Sequence, residues 1–422
     1  MGALSRCRQS LLVTMIVVLS GCQGSDSTGP SDAGIRDATT DTRSPDASVP
    51  DVGSYDVTLT FDVTPADAIL ADGPYGDGPV GVGDGSTCAA PGTTCDAGCV
   101  NVDSDPNNCG ACGAPCNGSC TGGRCLETLA ADQDAPFGLA VSPTVVYWTN
   151  QGNVATGNGA VRAAPVGGFT DASAPATLAT SQSSPAGLAV DGTHVYWVTE
   201  VGGTVLSVTL SSDGGAPVTL ATGQDLPTSV AVSAQQLCWT RAGADAGGLM
   251  ALPLADGGSV TQLSAGPSIA VAIGASGIYW ATDTGVMAIA GDGGAPTSLA
   301  SGRPTAIAIA SGIVYWTQRG TAANQYADGA VLSVATGGGA VTTLATGQTV
   351  GAGIATDATN VYWTTVATPG GGGNIVRVPV GGGSPTTLAT SQSPRGGIVI
   401  DSASVYWTSS TEGGSILKLT PK

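Results

Sequence analysis

All seven tryptophans of the chain stand in one recurring scrap of sequence, typified by "VVYWTN" at 145–150: Trp148, Trp197, Trp239, Trp280, Trp316, Trp363 and Trp407. Six follow a tyrosine, and the seventh follows Cys238 in "LCWT". Their spacings are 49, 42, 41, 36, 47 and 44 residues. Self-similarity at that period signals a propeller or a solenoid. Each unit carries four short apolar runs, as in "GLAV" (187–190), "VYWV" (195–198), "TVLSVTL" (204–210) and "VTLAT" (218–222). Asp-Gly, Gly-Gly and Pro separate the runs, which is hairpin chemistry, and no stretch carries a sustained helical period. Four antiparallel strands per unit make a propeller blade.

The side chains suit that shape. The first run of each unit is rich in Gly, Ala and Val, as a crowded axis requires. The second presents Tyr and Trp to opposite faces, because strand side chains alternate. The aromatic pairs are therefore expected to fill the gaps between blades. The last unit has three runs, "GGIVI" (396–400), "VYWTSS" (405–410) and "SILKLT" (415–420), and lacks a fourth. Upstream of the first unit, "ETLAADQDAP" (127–136) matches the fourth run and turn of other units, such as "ATLATSQSSP" (176–185). Residues 127–131 should complete the last blade and close the ring, removing exposed edges. The fold class expected is all-β, a seven-bladed propeller over 126–422 with a small disulfide-rich module before it. Cys125 should sit just outside the closing strand, so the module should dock at this seam.

The repeat resembles the YWTD repeat of low-density lipoprotein receptor propellers and, more loosely, NHL-type and streptogramin-lyase-type propellers. It departs from YWTD at the aspartate: the fourth position is Asn150 or Ser409, and only "YWATD" (279–283) comes near. YWTD propellers normally have six blades, whereas seven units are counted here.

Upstream, residues 1–21 read as a signal peptide: Arg6 and Arg8, then an apolar run from Leu11 to Leu19, too short to span a bilayer. "LSGC" at 19–22 resembles the bacterial lipobox, which implies that Cys22 is acylated. Gln23 in place of aspartate favours the outer membrane or cell surface over inner-membrane retention. The lipidated residue opens a spacer, 22–87, whose stretch 23–87 holds twelve aspartates against Arg36 and Arg43. Such a segment stays extended and solvated, spanning roughly 40–50 Å. It lacks the nonapeptide pattern of calcium-binding repeats. Residues 88–125 hold Cys88, Cys95, Cys99, Cys109, Cys112, Cys116, Cys120 and Cys125. An even count in a short exported segment predicts four disulfides, with the pairing open; a zinc cluster is the competing reading of Cys109-x-x-Cys112. "DPNNCGACGAPC" (105–116) resembles a module of myxobacterial exported proteins and of the stigma-specific family, and implies a small extracellular unit without chemistry of its own. Cys238 is left over, expected as a buried, inert thiol.

Chemistry is sparse. The formal charge is −18 with 13 basic residues, which excludes nucleic acid as a partner. His194 is the single histidine. Streptogramin-type lyases use histidine with glutamate, but Glu127, Glu200 and Glu412 have no second histidine beside them. Aspartates at 213, 256 and 292 precede Gly-Gly and read as turn residues. The glycine runs lack the lysine of a phosphate loop. No catalytic residue, metal site or cofactor is expected.

One polar recurrence follows the fourth strands: Gln133, Gln182, Gln224, Gln348 and Gln392, with Arg303 in the fourth repeat. These residues should lie on one face, either capping the turns or forming a candidate ligand ring. That face also carries the longest loops, 150–159, 318–329 and 365–374. The expected function is a monomeric, surface-anchored lipoprotein whose propeller is a non-catalytic binding or scaffold domain for an extracellular protein or glycan. A propeller lyase or glycan hydrolase and a purely structural envelope component are the alternatives.

Overall fold

The computed structural model describes residues 88, 92–95, 98–169, 174–210, 215–244, 246–255, 258–291, 293–366, 372–410 and 413–422. The signal peptide, Cys22 and the acidic spacer lie outside them. Seven sheets form a propeller, six of them from four strands consecutive in sequence. Blade one is Pro136–Val141, Val145–Asn150, Gly159–Pro165 and Ala176–Gln182. Blades two to six occupy 185–221, 227–265, 268–301, 304–348 and 350–389. Among the described residues the helical content is one 3-10 turn, Ala322–Asn324.

The seventh blade joins Pro394–Ile400, Val405–Ser409 and Ser415–Thr420 to Arg124–Ala130 from upstream of blade one. The register pairs Ile416 with Ala130, Leu417 with Thr128 and Leu419 with Leu126. The closing strand begins earlier than the repeat alignment indicates. Cys125 lies within it, opposite both Thr420 and Cys120, rather than just outside. The reason is that Ser119–Thr121 pairs on its far side and gives this blade a fifth strand. The cystine module is thus continuous with the ring.

Small residues let the inner strands meet. A methyl group on Gly187 would come within 2.7 Å of the Thr228 carbonyl oxygen, and one on Gly396 within 2.7 Å of that of Phe137. The second contact joins blade seven to blade one. The tryptophans are 0–1 % exposed. Six pack with the tyrosine of the preceding blade, among them Trp197 with Tyr147, Trp239 with Tyr196, Trp316 with Tyr279, Trp363 with Tyr315 and Trp407 with Tyr362. Trp148 meets Tyr406 across the closure, and Trp280 meets Cys238. Each buried tryptophan contributes about 3 kcal/mol or more.

The threonine after the tryptophan has a part that its sequence context does not announce. Thr149 Oγ1 accepts from Gly138 N and donates to the Ala186 carbonyl of the next blade, both at 2.8 Å. Thr240 reaches the Ile269 carbonyl at 3.3 Å, and Thr408 reaches that of Phe137 at 3.5 Å. Thr305, 2.8 Å from Thr317, relays the same bond to the Gly351 carbonyl at 3.1 Å.

The cystine module is held by Cys88–Cys99, Cys95–Cys112, Cys109–Cys120 and Cys116–Cys125. The last bond lands on the closing strand. Beside it, Lys418 Nζ and Glu127 Oε2 pair at 3.0 Å. Cys238 is free and buried, and burial pushes its thiol up to about 12.

Candidate ligand-binding face

Antiparallel order puts two sets of loops at one end of the ring: those entering each inner strand and those leaving each Tyr-Trp strand. At this end a backbone bond recurs. The residue three beyond the tryptophan donates its N–H to the residue that precedes the inner strand or lies just before it. The bonds run from Gln151 to Ala135 (3.0 Å), Glu200 to Ser184 (2.9 Å), Ala242 to Leu226 (3.0 Å), Arg319 to Arg303 (2.9 Å), Val366 to Thr349 (2.7 Å) and Ser410 to Ser393 (3.1 Å). Asp283 holds the same repeat position in blade four. These seven side chains recur around the ring, six of them at places fixed by that backbone bond, and their chemistry differs from blade to blade.

The five glutamines end the fourth strands at this face, as Gln182 and Gln348 do, or stand just after them. The residue before each has a positive φ: Asp132 55°, Ser181 56°, Gly223 67°, Gly347 69° and Ser391 57°. Only residues that tolerate the left-handed region serve well there. Gln133, Gln182 and Gln224 accept the indole N–H of the tryptophan fifteen residues on, at 3.0, 2.9 and 2.8 Å. Their amide nitrogens donate to a carbonyl two residues back, at 2.7–2.8 Å. Gln348 and Gln392 make the backbone bond, at 3.0 and 2.6 Å, while the N–H groups of Trp363 and Trp407 lack a partner. In blade four, Ala265 stands where the glutamine would, and Trp280 Nε1 is likewise unpaired. Arg303 is not at the glutamine position: it stands thirteen residues before Trp316, exposed, immediately before the inner strand. The indole acceptor role emerges only in the folded chain, although the constant interval of fifteen residues is its signal in the sequence.

Of the long loops, that of blade five is braced internally. Asp328 accepts from Thr321 N (2.6 Å), Thr321 Oγ1 (2.7 Å) and Asn324 Nδ2 (2.8 Å), and these bonds hold its carboxyl down to about 2. The Arg319 guanidinium lies 5.0 Å from the centroid of Tyr326. In blade one, Asn158 Oδ1 accepts from Asn153 N at 2.6 Å. In blade six, 367–371 lie outside the described residues.

Charge on this face is mixed: Glu200 and Asp283 lie on blades two and four, Arg303, Arg319 and Asp328 on blade five and Arg395 on blade seven. Arg395 reaches Gln151 Oε1 at 3.4 Å. The ion pairs among the described residues, Lys418–Glu127 and Lys422–Asp357, involve none of them. His194 is at the opposite end, where its strand begins. Its Nδ1 is 2.8 Å from Thr193 Oγ1. Glu127 is engaged with Lys418, and Glu412 lies outside the described residues. Among the described residues no three His, Cys, Asp or Glu side chains converge as a metal group would. Two lateral cavities lie away from this face, one of about 320 Å³ between the cystine module and blade seven and one of about 430 Å³ between blades one and two.

These features define the chain as a seven-bladed β-propeller with a disulfide-rich N-terminal region. No protein-family model and no curated protein matches it. Among solved structures it is similar to virginiamycin B lyase from Staphylococcus aureus, at 14 % identity and TM-score 0.55, covering 70 % of this chain and 99 % of that one. It is similar to the Kuenenia stuttgartiensis hydrazine synthase at 13 % identity and TM-score 0.54, covering 68 % and 96 %. The extracellular domain of a one-component system protein from B. thetaiotaomicron aligns at 10 % identity and TM-score 0.51, covering 69 % and 40 %. At such identities the likeness is one of fold.

Proposed function

We propose that the chain is an exported lipoprotein, anchored through Cys22 to the outer membrane or cell surface, whose propeller binds an extracellular protein or glycan without transforming it. The observation that carries this reading is the ring of residues three beyond each tryptophan. A recurring backbone bond fixes six of the seven places, and the side chain there differs from blade to blade, as suits a rigid scaffold that displays a recognition surface. The composition of the acidic spacer suits a solvated link between the anchor and the propeller. The protein acts as a monomer, and nucleic acid is not its partner. Glycan-array and pull-down screens with the full chain should yield a ligand that is lost on substitution of Arg319 or Arg395. Blank screens would favour a purely structural envelope role. Palmitate labelling should disappear in Cys22→Ser.

The lyase reading draws on the fold shared with virginiamycin B lyase, of which a histidine-to-alanine variant, crystallised with quinupristin, is catalytically inactive. Here the single histidine is at the far end of blade two from the ring. No turnover of quinupristin, lactones or polysaccharides is expected. Turnover abolished by His194→Ala would overturn the binding reading.

A further inference from the structure

In blade five the register pairs Pro304 with Gln318. One step outward it sets Arg303 opposite Arg319, whose N–H donates to the Arg303 carbonyl at 2.9 Å. Side chains directly opposite on antiparallel chains leave on the same side, with Cβ atoms roughly 4.5–5.5 Å apart, and like charges so placed repel. Both arginines are exposed. Neither forms an ion pair among the described residues, Asp283 and Asp328 included. Among the described residues three basic side chains are exposed, Arg303, Arg319 and Arg395. All three lie on this one face of a chain whose formal charge is −18.

The loop that follows fixes one member of the pair. Tyr326 holds the Arg319 guanidinium by a cation–π contact, 5.0 Å from its ring centroid. Gln325 and Tyr326 have φ of 52° and 62°, a left-handed backbone that residues with a side chain ordinarily avoid. Tyr326 N donates to the Thr321 carbonyl at 2.8 Å and Ala327 N to that of Asn324 at 2.9 Å, which keeps them there. Such conformations cluster at ligand clamps. The exposed large apolar side chains of this face, Val154, Val201 and Leu226, are on blades one to three. Blade five instead exposes Thr321, Asn324 and Gln325 beside its arginines. Resting on the reading of this face as a binding surface, we propose that Arg303 and Arg319 clamp an oxyanion, carboxylate or sulfate, of an acidic glycan, with Tyr326 as a positioning residue. Two guanidiniums side by side meet one oxyanion with several charge-assisted hydrogen bonds, and the anion offsets their repulsion. Amide and hydroxyl neighbours suit sugar hydroxyls, whereas a protein partner calls for an apolar centre.

Titration calorimetry of the full chain with polygalacturonate, dextran sulfate, neutral dextran and poly-L-glutamate tests the assignment and separates carboxylate from sulfate. At least one acidic glycan should bind about tenfold or more tightly than neutral dextran, and added salt should weaken it. Arg303→Gln and Arg319→Gln should each weaken that binding about tenfold or more. Tyr326→Leu, which frees the Arg319 guanidinium, should weaken it about threefold. Arg303→Gln should hold or raise the melting temperature, since it relieves a like-charge pair. A fall would mean that the guanidinium serves the fold, and would overturn the clamp. Failure of both acidic glycans to bind, or binding indifferent to both arginine substitutions, overturns it as well. Tighter binding of poly-L-glutamate than of either glycan overturns the glycan assignment in favour of an acidic protein. A ligand lost on substitution of Arg395 but retained in Arg303→Gln and Arg319→Gln overturns the clamp alone and leaves the binding face intact.

Discussion

A buried indole N–H is stabilised by an acceptor, and Gln133, Gln182 and Gln224 supply one just before the blade of their tryptophan, where Trp280, Trp363 and Trp407 go without. Gln224→Ala should cost about 1–2 kcal/mol in urea unfolding, because Trp239 is left with an unpaired donor. Gln392→Ala should cost less, since Trp407 lacks that bond already. At the opposite face, Asp191, Asp357 and Asp401 each cap a turn and accept the hydroxyl of the tyrosine five residues on, at 3.0, 3.2 and 2.7 Å. Burial alone would raise Asp357; Lys422 and the N–H groups of Thr359 and Asn360 outweigh it and hold the carboxyl well below its usual range. A depressed folded pKa stabilises above the unfolded value of about 3.9 and is lost as pH falls through the folded value. The melting temperature should therefore drop as pH falls below about 4, and Asp357→Asn should lower it at pH 7 while flattening that slope. Burial, then the Asp191 hydrogen bond, pushes the Tyr196 hydroxyl up to about 12, so its ionisation has no part in this window.

Between blades, the threonine after the tryptophan ties one sheet to the inner strand of the next. Thr149→Val keeps shape and removes the bonds to Gly138 and Ala186; it should cost about 1–2 kcal/mol by chemical denaturation. Much of the element scale was legible in the sequence. The tryptophan interval gave the blade count. The missing fourth run of the last unit, matched by "ETLAADQDAP", pointed to closure from upstream. Opposite-facing Tyr and Trp foretold the inter-blade packing, because strand alternation is a local property. The threonine bond was not legible: its acceptor lies on another blade, 37 residues on for Thr149 and 271 residues back for Thr408. The extra strand Ser119–Thr121 was masked by the cysteines, which read as a separate unit.

At the scale of the molecule, the ring is held where its two chain segments meet. Arg124–Ala130 joins Ser415–Thr420, Cys116–Cys125 ties the module to that strand, and Lys418–Glu127 lies across the join. Paired Cys116→Ser and Cys125→Ser changes should loosen the module and lower stability by about 2–4 kcal/mol. A closed ring makes the face carrying Gln151, Glu200, Asp283 and Arg319 rigid, as the proposed binding role requires. Native-state hydrogen exchange at the amides of 126–130 tests that closure directly. Protection equal to that of Ser415–Thr420 is the expected result; exchange as fast as in the 150–159 loop would contradict it.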